Sequence, residues 1–249
     1  MKTNLLAAPL LGALLAWPMA NQAAVNVDRT RVIMGANQKS VSVVLTNESG
    51  GKPYLAQSWI EDQDGKTSND LLALPPLQRL DPGKKAQVRI TQMNRAALDR
   101  LPQDRESLFY FVVREIPPEP EDKNASLLQL TTQSQLKLFL RPAGLGKDGE
   151  DVAPERSLQA QAAGGTLTLK NPTPYHVTVI WLGLDRKQPL HGFDSPTMLA
   201  PFSERALKVD LPAGLRELML GNVDDYGGLR MNRYRCEAGL CAFQERVKD

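Results

Sequence analysis

The sequence predicts an all-β protein built from two successive antiparallel sandwiches. Three observations carry that prediction. After residue 24, apolar and polar residues alternate in short runs punctuated by Pro, Gly, Asn and Asp. The stretch "RPAGLGKDGEDVAPE", from Arg141 to Glu155, is rich in Gly, Pro and charge and divides those runs into two groups. Only "NRAALDRL", residues 94–101, has a helical pattern, and it is short enough to sit inside a loop.

Residues 1–23 are expected to be removed. Lys2 is followed by an apolar run from Leu5 to Trp17 and then by small residues in "MANQAA". This is the layout of a secretory signal peptide, with cleavage expected between Ala23 and Ala24. Pro9, Gly12 and Pro18 oppose reading the run as a buried helix. No later segment approaches the roughly 18 apolar residues of a membrane span, so no membrane insertion is expected. About 225 residues remain, enough for two domains of about a hundred each.

The first domain is expected over 24–143. Its strand-like segments are "VNVDRTRVIM", "SVSVVLTN", "YLAQSWIED", "LLALPP" with "LQRL", "AQVRITQ", "SLFYFVVREI" and "SLLQLTTQSQLKLFLRP". Seven such segments suit a sandwich of immunoglobulin-like size, without the Cys-Trp-Cys signature of antibody domains. The last segment, 126–142, alternates for about fifteen residues, where a strand ordinarily has five or six. Residues 144–154 are the expected linker. The second domain, 155–249, carries "GTLTLKN", "HVTVIWLGL", "RALKVDL", "LRELMLGNV" and "RYRCEAGLCAFQ".

Composition narrows the chemistry. Lys and Arg total 30 against 28 acidic residues, which gives no case for nucleic acid or an anionic membrane. Cys236 and Cys241 are the only cysteines and enclose "EAGL". In an exported chain this spacing fits a hairpin disulfide worth about 2 kcal/mol, not a C-x-x-C redox site. His176 and His191 lack companions at ligand spacing, so neither a metal nor a cofactor is expected. No G-x-S-x-G, P-loop or G-x-G-x-x-G occurs, which argues against an enzyme.

Cations inside strands are the unusual feature. Arg31, Lys137 and Arg141 fit two readings. Either they are solvated or snorkelling strand residues, or a pair of them clamps a carboxylate through charge-assisted hydrogen bonds. Glu106 and Asp225 are likewise either turn residues or partners of Arg141 across the two domains.

Several blocks, taken in order, resemble a known family. "DRTRVIM", "PYLAQSWIED", "PPLQRLDPG", "LPQDRESLFYF", "REIPP", "LKLFLRPAG", "NPTPYHVTVI" and "DDYGG" are together similar to the PapD-like periplasmic pilus (fimbrial) assembly chaperones, across essentially the whole mature chain. The resemblance implies two immunoglobulin-like domains in an L with an interdomain cleft, and no enzymatic activity. It implies a periplasmic protein that binds and caps pilus subunits by donating a strand into their incomplete sandwich, then delivers them to an outer-membrane usher. Arg31 and Lys137 match the pair that anchors the subunit's C-terminal carboxylate. Leu128 and Leu130 match the donated apolar row, and Glu106, Arg141 and Asp225 match an interdomain charge network. Thr132 stands where the family commonly has a third large apolar residue, and Val112 where it commonly has Asn. The short "EPEDKNAS" resembles the short-loop branch that serves rod-like pili. The exposed donor strand also makes a self-capping homodimer an expectation for the free protein.

Overall fold

The computed structural model describes residues 24–93, 95–120, 129–145 and 152–247. The expected signal peptide, Leu128 and most of the expected linker lie outside these residues. The first unit contains β1 (Val25–Val27), β2 (Arg31–Gly35), β3 (Ser40–Asn47), β4 (Tyr54–Asp62), β5 (Leu71–Leu74) and β6 (Leu77–Leu80). After these come β7 (Lys85–Gln92), the single helical turn α1 (Arg95–Leu98), β8 (Ser107–Ile116) and β9 (Gln133–Arg141). A four-stranded sheet in the order β1-β3-β7-β5 faces a five-stranded sheet in the order β2-β9-β8-β4-β6. Val32, Met34, Leu45, Ile60, Ile90 and Phe111 are among the residues that fill the core between them.

Two expected segments are each divided between the sheets. "VNVDRTRVIM" becomes β1, antiparallel to β3, and β2, parallel to β9, with Asp28 and Arg29 ion-paired at the crossing. "LLALPPLQRL" becomes β5 and β6, parted at Pro75 and Pro76, which have no N–H to give a ladder. The long alternating segment is shorter than expected, at nine residues. Its ladder with β8 ends at Arg114↔Gln133, two residues before β8 itself ends, because the Thr132 N–H turns to Glu115 Oε1 and not to a main-chain carbonyl; Pro117 and Pro118 offer no N–H beyond.

The second unit holds β10 (Gln159–Ala163), β11 (Thr166–Asn171), β12 (Val177–Gly183), β13 (Thr197–Leu199), β14 (Ser203–Lys208), β15 (Glu217–Val223), β16 (Leu229–Glu237) and β17 (Leu240–Arg246). They follow one hydrogen-bonded order, β13-β12-β15-β16-β17-β10-β11-β14, wrapped around Leu167, Leu169, Val179, Leu220 and Tyr234. The buried Tyr234 hydroxyl donates to the Glu155 carbonyl at 2.6 Å, while the Glu155 carboxylate pairs with Arg246 at 2.5 Å. These contacts fasten the start of the unit to its last strands. Cys236 and Cys241 are cross-strand partners joined by a disulfide. Between them, Ala238 and Gly239 both have positive φ, at 49° and 83°, as a two-residue hairpin turn of the twist-matching kind requires.

One ion-pair cluster joins the units. Arg141, at the end of β9, donates from Nε and Nη2 to Glu106 Oε1 at 3.0 and 2.7 Å. It also donates to both oxygens of Asp225, at 2.9 and 3.2 Å. The other Glu106 oxygen accepts the His176 backbone N–H at 2.7 Å, and His176 Nδ1 lies 3.3 Å from it. The His176 ring stacks on Phe139 of β9, 5.0 Å between centroids. Burial works against the Arg141 charge, but the hydrogen bonds and charges of Asp225 and Glu106 hold its pKa above the ordinary arginine value. Asp225 is presented by a turn that Asp224 organises, accepting from the N–H groups of Tyr226 and Gly228 and pairing with Arg230. Gly227 serves that turn with a φ of 86°, and a Cβ there would meet Thr30 Oγ1 at 2.4 Å.

Removing one member of a buried ion pair strands its partners, at a cost of about 3–5 kcal/mol. Arg141→Ala should therefore lower unfolding stability by that order in a denaturant titration. Adding Glu106→Ala should cost little more, because the two act as one unit. Fully additive losses would show that the groups are independent.

Candidate functional site: a cation pair beside a freed strand segment

Strand β9 has two faces with different fates. Leu136, Leu138 and Leu140 point into the first unit and are buried. The opposite row is exposed at Gln133 and Gln135, half-buried at Lys137, and buried at Phe139 and Arg141. The row thus descends into the joint between the units, and Lys137 stands where it enters. This period-two geometry explains how a lysine occupies a strand whose alternate residues are core.

Parallel pairing of β2 with β9 sets Arg31 directly opposite Lys137. Arg31 is only 8% exposed, although it opens its strand. Its Nη1 donates to the carbonyl of Val223 in the second unit at 3.0 Å, whereas its buried Nε makes no hydrogen bond. Burial pushes the Arg31 guanidinium below its ordinary pKa, against the attraction of Asp225, Asp224 and Glu106. Burial and then the Arg31 charge lower the pKa of Lys137. Among the described residues, neither cation has a carboxylate in ion-pair contact. Two neighbouring positive charges, partly withdrawn from water, with an idle donor between the units, favour an anion.

N-terminal to β9, the chain leaves the sheet. Among the described residues, no main-chain hydrogen bond holds residues 129–131, and Leu130 is 69% exposed. Thr132 is the last residue tied to β8: its carbonyl accepts the Glu115 N–H at 3.1 Å, and its own N–H donates to Glu115 Oε1 at 3.3 Å.

The sequence-predicted residues therefore fall into three places among the described residues: Arg31 and Lys137 together, Glu106, Arg141 and Asp225 together at the joint, and Leu130 on the freed segment with Thr132 tied to β8 at its root. His176, for which the sequence gives neither metal ligands nor a catalytic motif, lies in the charge cluster. Its position next to the "NPTPY" turn, at the head of a strand, was the available signal. Glu115 was missed, although an acid in the inward phase of β8 marks a buried carboxylate. Val112 is fully buried.

Comparison with known proteins places this architecture. Residues 24–146 match the family described as "Pili and flagellar-assembly chaperone, PapD N-terminal domain". Residues 153–234 match "Pili assembly chaperone PapD, C-terminal domain". The fimbrial chaperone YbgP of Escherichia coli K12 is 46% identical over 225 residues, covering 89% of this chain and 90% of the relative. The chaperone protein PapD of Escherichia coli is 39% identical over 225 residues, covering 90% and 91%. Among solved structures, a chain of the Salmonella enterica SafA pilin–SafB chaperone complex superposes with a TM-score of 0.71 at 26% identity, covering 86% and 97%. The Escherichia coli chaperone DraB gives 0.69 at 30% identity, covering 86% and 96%. With both units matched in order over nearly the whole described chain, the protein belongs to the PapD-like family of pilus-assembly chaperones.

Proposed function

We propose that the chain captures pilus subunits in the periplasm, anchors the subunit's C-terminal carboxylate between Arg31 and Lys137, and lays the segment containing Leu128, Leu130 and Thr132 into the subunit's incomplete sandwich. The loaded chaperone then passes the subunit to an outer-membrane usher. The observation that carries this reading is the register of Arg31 with Lys137, with Arg31 Nε buried and idle beside an exposed strand segment. The SafA pilin–SafB chaperone complex, in which a matched chain occurs, supports a pilin as the class of partner.

The physical division of labour follows from magnitudes. A subunit lacking a strand exposes apolar groove and unpaired edges, which invite aggregation. Each Leu buried in that groove is worth roughly 1.5–3 kcal/mol. Backbone pairing supplies no register, and a slip by one residue would turn the Leu row outward. A carboxylate fixed by two cations sets the register from one end, so the cations align and the leucines hold. Thr132 remains with β8 and contributes little apolar grip. In the free protein, the exposure of Leu130 also favours pairing of two donor segments as a self-capping homodimer.

A synthetic peptide with the C-terminal strand sequence of a pilus subunit tests the anchor. It should bind the chaperone roughly 10- to 150-fold more tightly with a free carboxylate than when amidated, from a charge-assisted contact worth about 1.5–3 kcal/mol. Titration calorimetry with Arg31→Ala or Lys137→Ala should show that preference largely gone in a folded protein. An undiminished preference in both variants would sink the anchor.

The depressed pKa of Lys137 predicts a cost to the free protein. The unfolded chain holds the Lys137 proton more tightly than the folded one, so the charge opposes folding below the folded pKa, and the penalty fades as pH rises toward the ordinary lysine value. Lys137→Met should therefore melt higher than the parent at neutral pH. The gap should narrow at alkaline pH in scanning calorimetry.

A further inference from the structure

We propose that Glu115 is a positioning residue that fixes where the donated segment leaves the chaperone's own sheet and ties that point to the first strand of the domain. The proposal deepens the donor-strand reading above and rests on it for its functional consequence.

The β8–β9 ladder runs from Ser107↔Leu140 to Arg114↔Gln133. The next opposed pair is Glu115 and Thr132, and there the ladder changes character. The Glu115 N–H still donates to the Thr132 carbonyl at 3.1 Å. The reciprocal Thr132 N–H turns to the Glu115 side chain, Oε1 at 3.3 Å. Glu115 therefore grips Thr132 from both main-chain sides, while residues 129–131 have no main-chain bond among the described residues. The second carboxylate oxygen, Oε2, accepts the N–H of Val25 at 3.0 Å. Val25 opens β1 in the opposite sheet, so one side chain joins the two sheets at the point where β9 begins.

The residue type suits the task. Glu115 occupies a core-facing phase of β8 and is 5% exposed, a place where a carboxylate is costly without donors. Two main-chain N–H groups at two oxygens satisfy it, and only a carboxylate offers two equivalent acceptors there. A glutamine would present an NH2 group to one of those N–H donors. A terminal bond held by a side chain also marks where the segment parts from β8: residues 129–131 have no main-chain bond to it, whereas the strand is laddered to it from Gln133 onward. A donated strand needs such a fixed root, since a shift there would move every apolar side chain to the wrong face.

The test uses Glu115→Gln, read by amide hydrogen exchange on the free protein and by release of a pilus subunit whose N-terminal extension has been deleted. Exchange at Thr132 should accelerate at least about tenfold, as expected for loss of one charge-assisted bond, with Leu138 in mid-β9 unchanged. Subunit release should accelerate by a similar factor. Unchanged exchange at Thr132, or equal acceleration at Thr132 and Leu138, would overturn the proposal, the latter because it reports general loosening. If Glu115→Gln does not fold, Glu115→Asp keeps the charge, shortens the reach and gives the same local readout. Exchange is measured without a subunit, so it decides the role of Glu115 separately. Release from Arg31→Ala, run alongside, decides the anchor.

Discussion

Arg141 reaches from the end of β9 to one carboxylate in its own domain and another in the next, and the cleft is laid out around that contact. The pair with Glu106 is nearly dry, and Asp225 adds a second carboxylate from a turn that Asp224 stiffens. Because β9 is held at this end, its outward row enters the joint in fixed phase, with Phe139 against His176 and Lys137 at the mouth. Arg31 leans on the same arrangement, since its hydrogen bond goes to Val223, close in sequence to Asp225. If the domains turned about one another, Arg31 would stay opposite Lys137 through the β2–β9 pairing but would lose its Val223 bond, and with it the fixed direction of its guanidinium.

The joint is electrostatically settled and the mouth is not. Arg141 has its carboxylates, and its charge is held firmly. Arg31 and Lys137 face each other with depressed pKa values, set first by burial in both cases. Such an arrangement is a liability in a free protein and an asset in one that receives an anion, because the partner relieves a penalty already present. Leu130 is a second liability of this kind, an apolar side chain held out on an unpaired segment. Both liabilities flank the same few residues of one strand, which is where the proposed capture of a subunit needs them.

Much of this was legible in the residues, and the exceptions have identifiable causes. The alternation from Leu136 to Leu140 gives the strand and its inward face directly. That Arg31 would stand beside Lys137 is not contained in either pattern, because parallel pairing between distant segments leaves no local mark; only the family resemblance suggested it. The crossing at Asp28–Thr30 carries no Pro or Gly, so β1 and β2 read as one strand. β10, "QAQAA", lacks the β-branched and aromatic residues that mark strands, and it is held in place by β11 and β17. The fifteen-residue alternation exceeds the observed strand because alternation describes what a segment can pair with, while the turn of the Thr132 N–H to the Glu115 side chain ends the ladder. The roles of Glu115 and His176 are not legible in the sequence, because an acid or an imidazole inside a strand acquires meaning only from what the other sheet or domain brings to it.

The side-chain nitrogen of Lys137 offers the most direct test of the central claim, that a subunit's carboxylate relieves two crowded cations. Nitrogen-detected NMR titration of that amine should place its pKa below the ordinary lysine value in the free chaperone and raise it when a pilus subunit is bound. A Lys137 pKa that is ordinary in the free protein, or that is unmoved by the bound subunit, would contradict the account.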